Sequence, residues 1–226
     1  MIKLTQTTLD ILKNFSSINS NLVIKAGEPL ATISEAKNIM AEATISESFP
    51  SNFGIYDLNE FISMFSLMNE PELSVTDSSV IFKSGKSRAS YRFADESILT
   101  TPKSKINMPQ TDLTVRLSAE TITQIRKAAG VLGHSVLSIC GEDGVITLNI
   151  VDPKNSASNT FSLIIDEDNV QKQTFDLQFM IANLKVIPGD YTVNIAYVSK
   201  LISHWKNETQ PVQYYIALEK SSSHKA

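Results

Sequence analysis

The second half of this chain repeats the first with almost no change of spacing, and that repeat constrains the fold more than any other feature. Leu4-Thr5-Gln6-Thr7-Thr8-Leu9-Asp10-Ile11-Leu12-Lys13 lies over Leu117-Ser118-Ala119-Glu120-Thr121-Ile122-Thr123-Gln124-Ile125-Arg126 at an offset of 113, half of the 226 residues. Both segments set apolar residues at helical spacing (Leu9, Leu12, Phe15; Ile122, Ile125, Ala129), with a cation at the next solvent position. Further on, Tyr56-Asp57-Leu58-Asn59 lies over Phe175-Asp176-Leu177-Gln178 at an offset of 119. Two matches in one order predict a duplicated domain, and tandem like domains are a unit from which rings and arrays are built.

Two domains of about 110 residues suit the length. The apolar runs are far shorter than the roughly 20 residues a bilayer crossing needs, and Met1-Ile2-Lys3-Leu4-Thr5 lacks the apolar core of a signal peptide. The single cysteine, Cys140, makes no intramolecular disulfide and so suggests a reducing cytoplasm. With Val136, Leu137 and Ile139 beside it, Cys140 reads as a core strand residue. Divided at 111/112, each side carries 10 basic and 12 acidic residues. That balance counts against a tight phosphate-tracking binder, though not against a protein that surrounds nucleic acid without gripping it.

Nothing in the chain points to catalysis. His134, His204 and His224 lack metal-ligand spacing, and Cys140 has no nucleophile pattern around it. There is no phosphate-cradling loop, dinucleotide loop or nucleophile elbow. Asp166-Glu167-Asp168 could hold a cation but reads more simply as a turn or solvated strand end, and Glu142-Asp143-Gly144 as a hairpin turn. No metal and no cofactor are expected.

Along the first half, residues 5–16 form an amphipathic helix, followed by short strands at 21–26, 29–33, 39–45 and 53–56. Asp57 caps a helix over 58–68, with Glu60 completing a carboxylate form of the capping box. Strands at 72–76, 80–84 and 89–93 follow. The aperiodic stretch 100–111, with two prolines, is the connector between domains 1–99 and 112–226. The second half is expected to give a strand at 112–117, a helix at 118–130 and strands at 135–140, 144–151, 159–166 and 172–176. A helix over 176–186, stopped by Pro188-Gly189, and strands at 190–198 and 212–219 complete it. The fold class is α+β, with two helices on antiparallel sheet in each half.

The solvent faces of the paired helices carry Gln6, Asp10, Lys13 and Ser17 in one, and Ala119, Thr123, Arg126 and Lys127 in the other. Lys13 and Arg126 are repeat-equivalent, whereas Lys127 matches Asn14. An exposed cation is ordinarily a solubility device. Its recurrence in both halves points to a functional face.

Tyr56-Asp57-Leu58-Asn59-Glu60-Phe61, with Leu67 and Asn69 behind it, resembles the DNA polymerase sliding clamp of T-even-type bacteriophages. Leu12-Lys13-Asn14-Phe15, Ile18-Asn19-Ser20, Pro188-Gly189-Asp190-Tyr191 and Tyr215-Ile216-Ala217-Leu218-Glu219 agree with it, so the likeness spans nearly the whole chain. The resemblance implies a DNA-clamp fold, a homotrimeric ring and an architecture similar to proliferating-cell nuclear antigen. It implies double-stranded DNA through the hole, a clamp-loader ATPase, a docked DNA polymerase, and a late-transcription sigma factor with its co-activator. Lys13, Arg126 and Lys127 would face the DNA, with Lys3 and Lys185 as further candidates. Partners would dock on Ile106, Met108 and Pro109, with Tyr215 and Leu218 nearby. Subunits would join through an edge strand, 80–84 or 89–93, against a strand of the second half. The rival reading is a non-catalytic assembly protein that oligomerises without DNA.

Overall fold

In the computed structural model, which describes residues 1–155, 157–167 and 173–225, helix α1 (Gln6–Ile18) starts close to the predicted position. The Thr5 hydroxyl accepts from the Thr8 N–H at 3.2 Å, a local cap. Glu47, 42 residues away, adds a remote one: its carboxylate accepts from the Thr5 N–H at 2.5 Å and the Thr8 hydroxyl at 2.6 Å. Ile11, Leu12, Phe15 and Ile18 are buried, one stripe of the helix. The helix stops at Asn19, whose buried amide donates to the carbonyls of Ile33 and Thr100 at 2.8 and 3.0 Å.

The chain divides into two units. Residues 1–105, 185–187 and 210–214 form the first, and the other described residues the second. In the first, strands β1 (Leu22–Ile24), β2 (Leu30–Ile33), β3 (Ile39–Ala43) and β4 (Phe53–Ile55) follow α1. β1 pairs antiparallel with β4, and β2 with β3. Helix α2 (Leu58–Ser66) is capped as expected, the Asp57 carboxylate accepting from the N–H groups of Asn59 and Glu60 at 2.9 and 3.1 Å. Phe61 packs edge-on against Phe82 and Tyr91 at 5.2 and 5.4 Å, joining α2 to the sheet of β5 (Glu72–Val75), β6 (Ser79–Ser84) and β7 (Ser87–Arg92). β6 lies between β5 and β7, so the expected edge strand at 80–84 is corrected: both its sides are already hydrogen-bonded.

The second unit opens with β8 (Leu113–Leu117) and α3 (Ala119–Leu132). The Ser118 hydroxyl accepts from the Thr121 N–H at 3.0 Å, and the Asp190 carboxylate from the Ala119 N–H at 2.8 Å. Gly133 ends the helix at φ 68°, the left-handed cap glycine supplies without strain. Strands β9 (Val136–Glu142), β10 (Val145–Val151), β11 (Phe161–Asp166) and β12 (Phe175–Met180) come next. Then follow β13 (Tyr191–Ala196), β14 (Ile202–Asn207), β15 (Val212–Ala217, counted with the first unit up to Tyr214) and β16 (Ser223–His224). One antiparallel sheet runs β11-β10-β9-β12-β16, and a second contains β8, β13 and β14. The Asp143-Gly144 turn joins β9 to β10 with φ of 50° and 88°, as its sequence requires.

The expected helix over 176–186 is not formed. Phe175, Leu177 and Phe179 are at most 3% exposed and alternate along β12, which pairs with β9. Asp176 caps nothing: it accepts from the Ser138 hydroxyl at 2.5 Å and from the Gln178 amide at 2.8 Å. Only a 3-10 turn, Ile181–Asn183, follows, so three α-helices are present among the described residues. The alignment of Tyr56 with Phe175 is therefore wrong, because it lays a helix start over a strand. The correct pairing is shown by one repeated bond: the Leu58 N–H donates to the Ser20 carbonyl, and the Ile181 N–H to that of Ser135, both at 2.8 Å. The offset has grown because β9 to β12 are longer than β1 to β4. Strand β14 was not foreseen. The expected strand at 172–176 begins at Lys172, and the acidic run ends at Asp168, both outside the described residues.

Burial alone would raise the Glu47 pKa, but the hydrogen bonds from Thr8 and Thr5 outweigh it and hold the carboxyl below its ordinary value of 4.5. A lowered carboxyl pKa stabilises the fold above the ordinary value, and the contribution disappears as pH falls through the folded one. Glu47→Gln is expected to cost about 1 kcal/mol at pH 7, at the low end for a charge-assisted bond because solvent reaches the carboxylate. Urea denaturation checks this. The difference between parent and variant must shrink below pH 4.5.

Candidate nucleic-acid interface

On α1 the four residues expected to face solvent, Gln6, Asp10, Lys13 and Ser17, are exposed, and so is Thr7. The Gln6 amide donates to Asp10 at 2.8 Å, and the Lys13 ammonium lies 3.9 Å from the same carboxylate. With both side chains about half exposed or more, that ion pair is weak and Lys13 can exchange it for another anion. Arg126, the repeat-equivalent of Lys13, behaves differently. It is half-buried, and its guanidinium donates to the Leu184 carbonyl at 2.5 Å. Lys127, one position on, is exposed on α3. The repeat therefore preserves a cation while its neighbourhood changes, and Lys127 is the more open of the two cations on that helix.

Lys3 is exposed and sits 3.8 Å from Glu70. Lys185 is placed otherwise: its ammonium donates to the Ser17 carbonyl at the C-terminal end of α1. A cation there satisfies a carbonyl the helix leaves open and meets the negative end of its dipole. The segment is held by two further side chains. The Asn14 amide donates to the Lys185 carbonyl at 2.9 Å, and the Tyr214 hydroxyl donates to Asn14 at 2.8 Å while accepting from the Ile187 N–H at 3.1 Å. Helix α2 presents Asn59, Glu60 and Ser63 and no cation.

Ile106, Met108 and Pro109 are half-buried in an irregular segment. Tyr215, also half-buried, stacks on His204 with ring centroids 4.9 Å apart. Leu218 is 6% exposed and donates its N–H to Leu201, so it is a wall of the fold more than a surface. Sequence reasoning missed the carboxylates Glu47 and Asp190, which carry no local signal because each acts across tens of residues. The expected strand at 159–166 is β11, but sequence reasoning did not show that it is an edge strand, with Ile164 52% exposed. Its opposite number is β7, whose Arg88, Ser90 and Arg92 are exposed.

Among the described residues no three His, Cys, Asp or Glu side chains gather as a metal site. Burial pushes the Cys140 thiol above its ordinary pKa, and the nearby Asp176 charge adds to this, so the group is a poor nucleophile. No helix among the described residues is long and apolar enough to cross a membrane.

Antiparallel sheets with one long, doubly capped helix in each half define a clamp fold. A proliferating-cell nuclear antigen of A. fulgidus, solved with the C-terminal region of FEN-1 bound, matches with a TM-score of 0.73 at 14% identity, over 99% of this chain and 100% of that one. The corresponding antigen of Entamoeba histolytica gives 0.67 at 14% identity over 96% and 98%. The sequence narrows the class further. Residues 3–101 match the DNA polymerase processivity factor family and residues 114–220 the gp45 sliding clamp C-terminal family. The sliding clamp of Vibrio phage KVP40 is 31% identical over 96% of this chain and 99% of its own, and that of Escherichia phage RB69 30% identical over 99% of both. The chain belongs to the phage sliding-clamp family of DNA polymerase processivity factors.

Lys185→Ala removes the cation at the end of α1 and should cost about 0.5–1 kcal/mol of stability. Thermal unfolding of parent and variant checks it. A variant as stable as the parent would mean the ammonium does not hold that end.

Proposed function

We propose that three copies of this chain close into a ring around double-stranded DNA, without regard to its sequence, and hold the DNA polymerase at the primer end. The domains are 1–99 and 112–226, joined by the connector 100–111. The protein catalyses nothing; a clamp-loader ATPase opens and closes it. Partners dock near Ile106, Met108, Pro109 and Tyr215, with Leu218 behind them, and the late-transcription sigma factor and co-activator use the same docking. The site of action is the host cytoplasm, where the DNA partner is.

One observation carries the DNA assignment. Cations recur at equivalent positions of α1 and α3, Lys13 and Arg126 with Lys127 beside it, in a chain whose net charge is −4. Three subunits would bring about nine such charges to the duplex, enough for a salt-sensitive attraction that does not stop sliding. Lys3 and Lys185 stand behind them, the latter already engaged on α1.

Ring closure uses two of the terminal strands, β7 and β11. In an antiparallel pair β7 of one copy would lie along β11 of the next, a head-to-tail contact that covers both of these edges once the ring is complete. Arg88, Ser90 and Arg92 share one face of β7, and Ser162, Ile164 and Asp166 one face of β11, so opposite charges can meet across the pair. Beside β11 runs a groove of about 660 Å³ whose wall carries Glu120, Asp190 and Glu208 against one cation, Arg116, a net sign that suits the arginines.

Light scattering on the purified protein should give a mass near three times 24.9 kDa, falling on dilution. A monomer at every concentration would remove the topological mechanism. The variant Lys13→Glu, Arg126→Glu, Lys127→Glu should keep that mass and lose loader-dependent stimulation of the polymerase; long synthesis by this variant would sink the assignment of the DNA face. Arg88→Glu with Arg92→Glu should weaken the trimer by about tenfold, one or two charge pairs at 1.4 kcal/mol per decade. Adding Asp166→Lys should restore it in part, and failure of that rescue would place the interface elsewhere.

A further inference from the structure

The tip of the β6–β7 hairpin, Lys83-Ser84-Gly85-Lys86-Ser87-Arg88, carries three cations and no acid in six residues. All three are exposed, and none forms an ion pair among the described residues. Lys83 stands directly opposite Arg88 across the hairpin, with Glu72 of β5 in the same row. Like charges facing each other across two strands weaken the pairing, so a hairpin with no use for them is better served by other residues. The other tight hairpins do not share the feature. β2 turns into β3 past Glu35 and Lys37, β9 into β10 past Glu142 and Asp143, and β14 into β15 past Lys206 and Glu208. On a chain of net charge −4 this tip is a local positive pole.

Its place in the first unit is fixed from two sides. The Ser84 hydroxyl donates to the Asn69 carbonyl, just past the end of α2. Leu73 of β5 exchanges both backbone bonds with Ile2, at 2.7 and 2.9 Å, which brings the segment leading into α1 to the same end. The tip therefore lies where α1 starts, apart from Lys13, which is about two turns into that helix. Besides the cations it holds only Ser84, Gly85 and Ser87, and nothing lies within 4 Å of where a Cβ on Gly85 would be. A protein partner finds no apolar anchor there, whereas a phosphate backbone needs none. We propose that the hairpin tip is a second, external contact for duplex DNA, in which Lys83 and Lys86 meet phosphates of the segment outside the ring. The proposal rests on the reading of the chain as a clamp around DNA. Arg88 lies on the β7 edge and is left to the joint, while Lys83 is on the central strand and Lys86 in the turn. Lysines are point charges on flexible stems, so the contact is exchangeable and salt-sensitive and lets the duplex move.

The probe is a fluorescein-labelled duplex of about 30 base pairs with streptavidin at both ends, which cannot thread a closed ring and so reports outside contacts. By anisotropy at about 50 mM salt the intact protein should bind it, and Lys83→Glu with Lys86→Glu should weaken binding about tenfold and flatten its salt dependence. Lys83→Gln with Lys86→Gln, which removes charge without adding any, should fall between. The variant Lys13→Glu, Arg126→Glu, Lys127→Glu should bind the end-blocked duplex as the parent does; a loss there would return the contact to the helices and overturn the proposal. Light scattering must give the parental mass for Lys83→Glu with Lys86→Glu, since a lost trimer assigns the lysines to the joint instead. Equal binding by parent and double variant, or no binding by the parent, also overturns it. So does a poly-glutamate peptide that binds the parent more tightly than the duplex, which gives the tip to an acidic protein. Failure of the clamp reading shows elsewhere, as a parent that gives no loader-dependent stimulation of the polymerase whatever the end-blocked duplex does.

Discussion

Two carboxylates, Glu47 and Asp190, hold the N-terminal ends of α1 and α3, and the placement of Lys13, Arg126 and Lys127 follows from them. A helix begins with backbone N–H groups that have no partner of their own. Here each first turn is closed twice, by the local hydroxyls of Thr5 and Ser118 and by carboxylates brought in from Glu47 and Asp190. A local cap fixes where a helix starts; a remote one also ties that start to another part of the fold. With the start fixed and the stripe of Ile11, Leu12 and Phe15 or Ile122, Ile125 and Ala129 buried, rotation about the helix axis is fixed as well. Lys13 and Lys127 then face solvent of necessity.

The same arrangement bears on how such a protein treats DNA. A free helix N-terminus is an anion site, and phosphate binds there readily. In this chain both positions are filled by the protein's own carboxylates. Attraction to a duplex is left to mobile side chains, of which Lys13 is partly neutralised by Asp10 and Arg126 is half-engaged with Leu184. Each contact is thus weak and readily exchanged from one phosphate to the next. A protein that holds DNA by enclosure needs this; tight binding at fixed phosphates would stop its movement.

What the sequence revealed and what it hid divide along physical lines. Local determinants were legible: the cap at Asp57, the Asp143-Gly144 turn, and the buried stripe of each long helix all act within a few residues. The failure at 176–186 came from reading Asp176-Leu177-Gln178 as a cap because Asp57-Leu58-Asn59 is one. The alternation of Phe175, Leu177 and Phe179 was the better signal, and pairing with β9 decided it. Strand β14 was hidden because its inward positions include Ser203 and Asn207, which read as polar surface. Ser203 is buried because it accepts from the Trp205 indole N–H at 2.8 Å and donates to the Ile216 carbonyl at 2.9 Å. The cation pair Lys13 and Arg126 was visible as a repeat, but the difference in their surroundings was not, since Leu184 lies far from Arg126 in sequence.

The edges of the sheets decide how copies of such a chain can join. An unpaired strand edge recruits any extended segment, and proteins ordinarily blunt it with charge. β7 carries Arg88 and Arg92 along one face and is blunted in that way, whereas β11 exposes Ile164 ahead of Asp166. Two copies of β7 set arginines against each other, whereas β7 beside β11 sets them against Ser162 and Asp166, so the charge pattern favours the mixed pair over pairing of β7 with itself. A contact between unlike edges cannot end at a dimer, because each copy added leaves one edge of each kind open. In the ring proposed above closure would remove these two, and a single such joint, a few backbone bonds and exposed charge pairs, is weak.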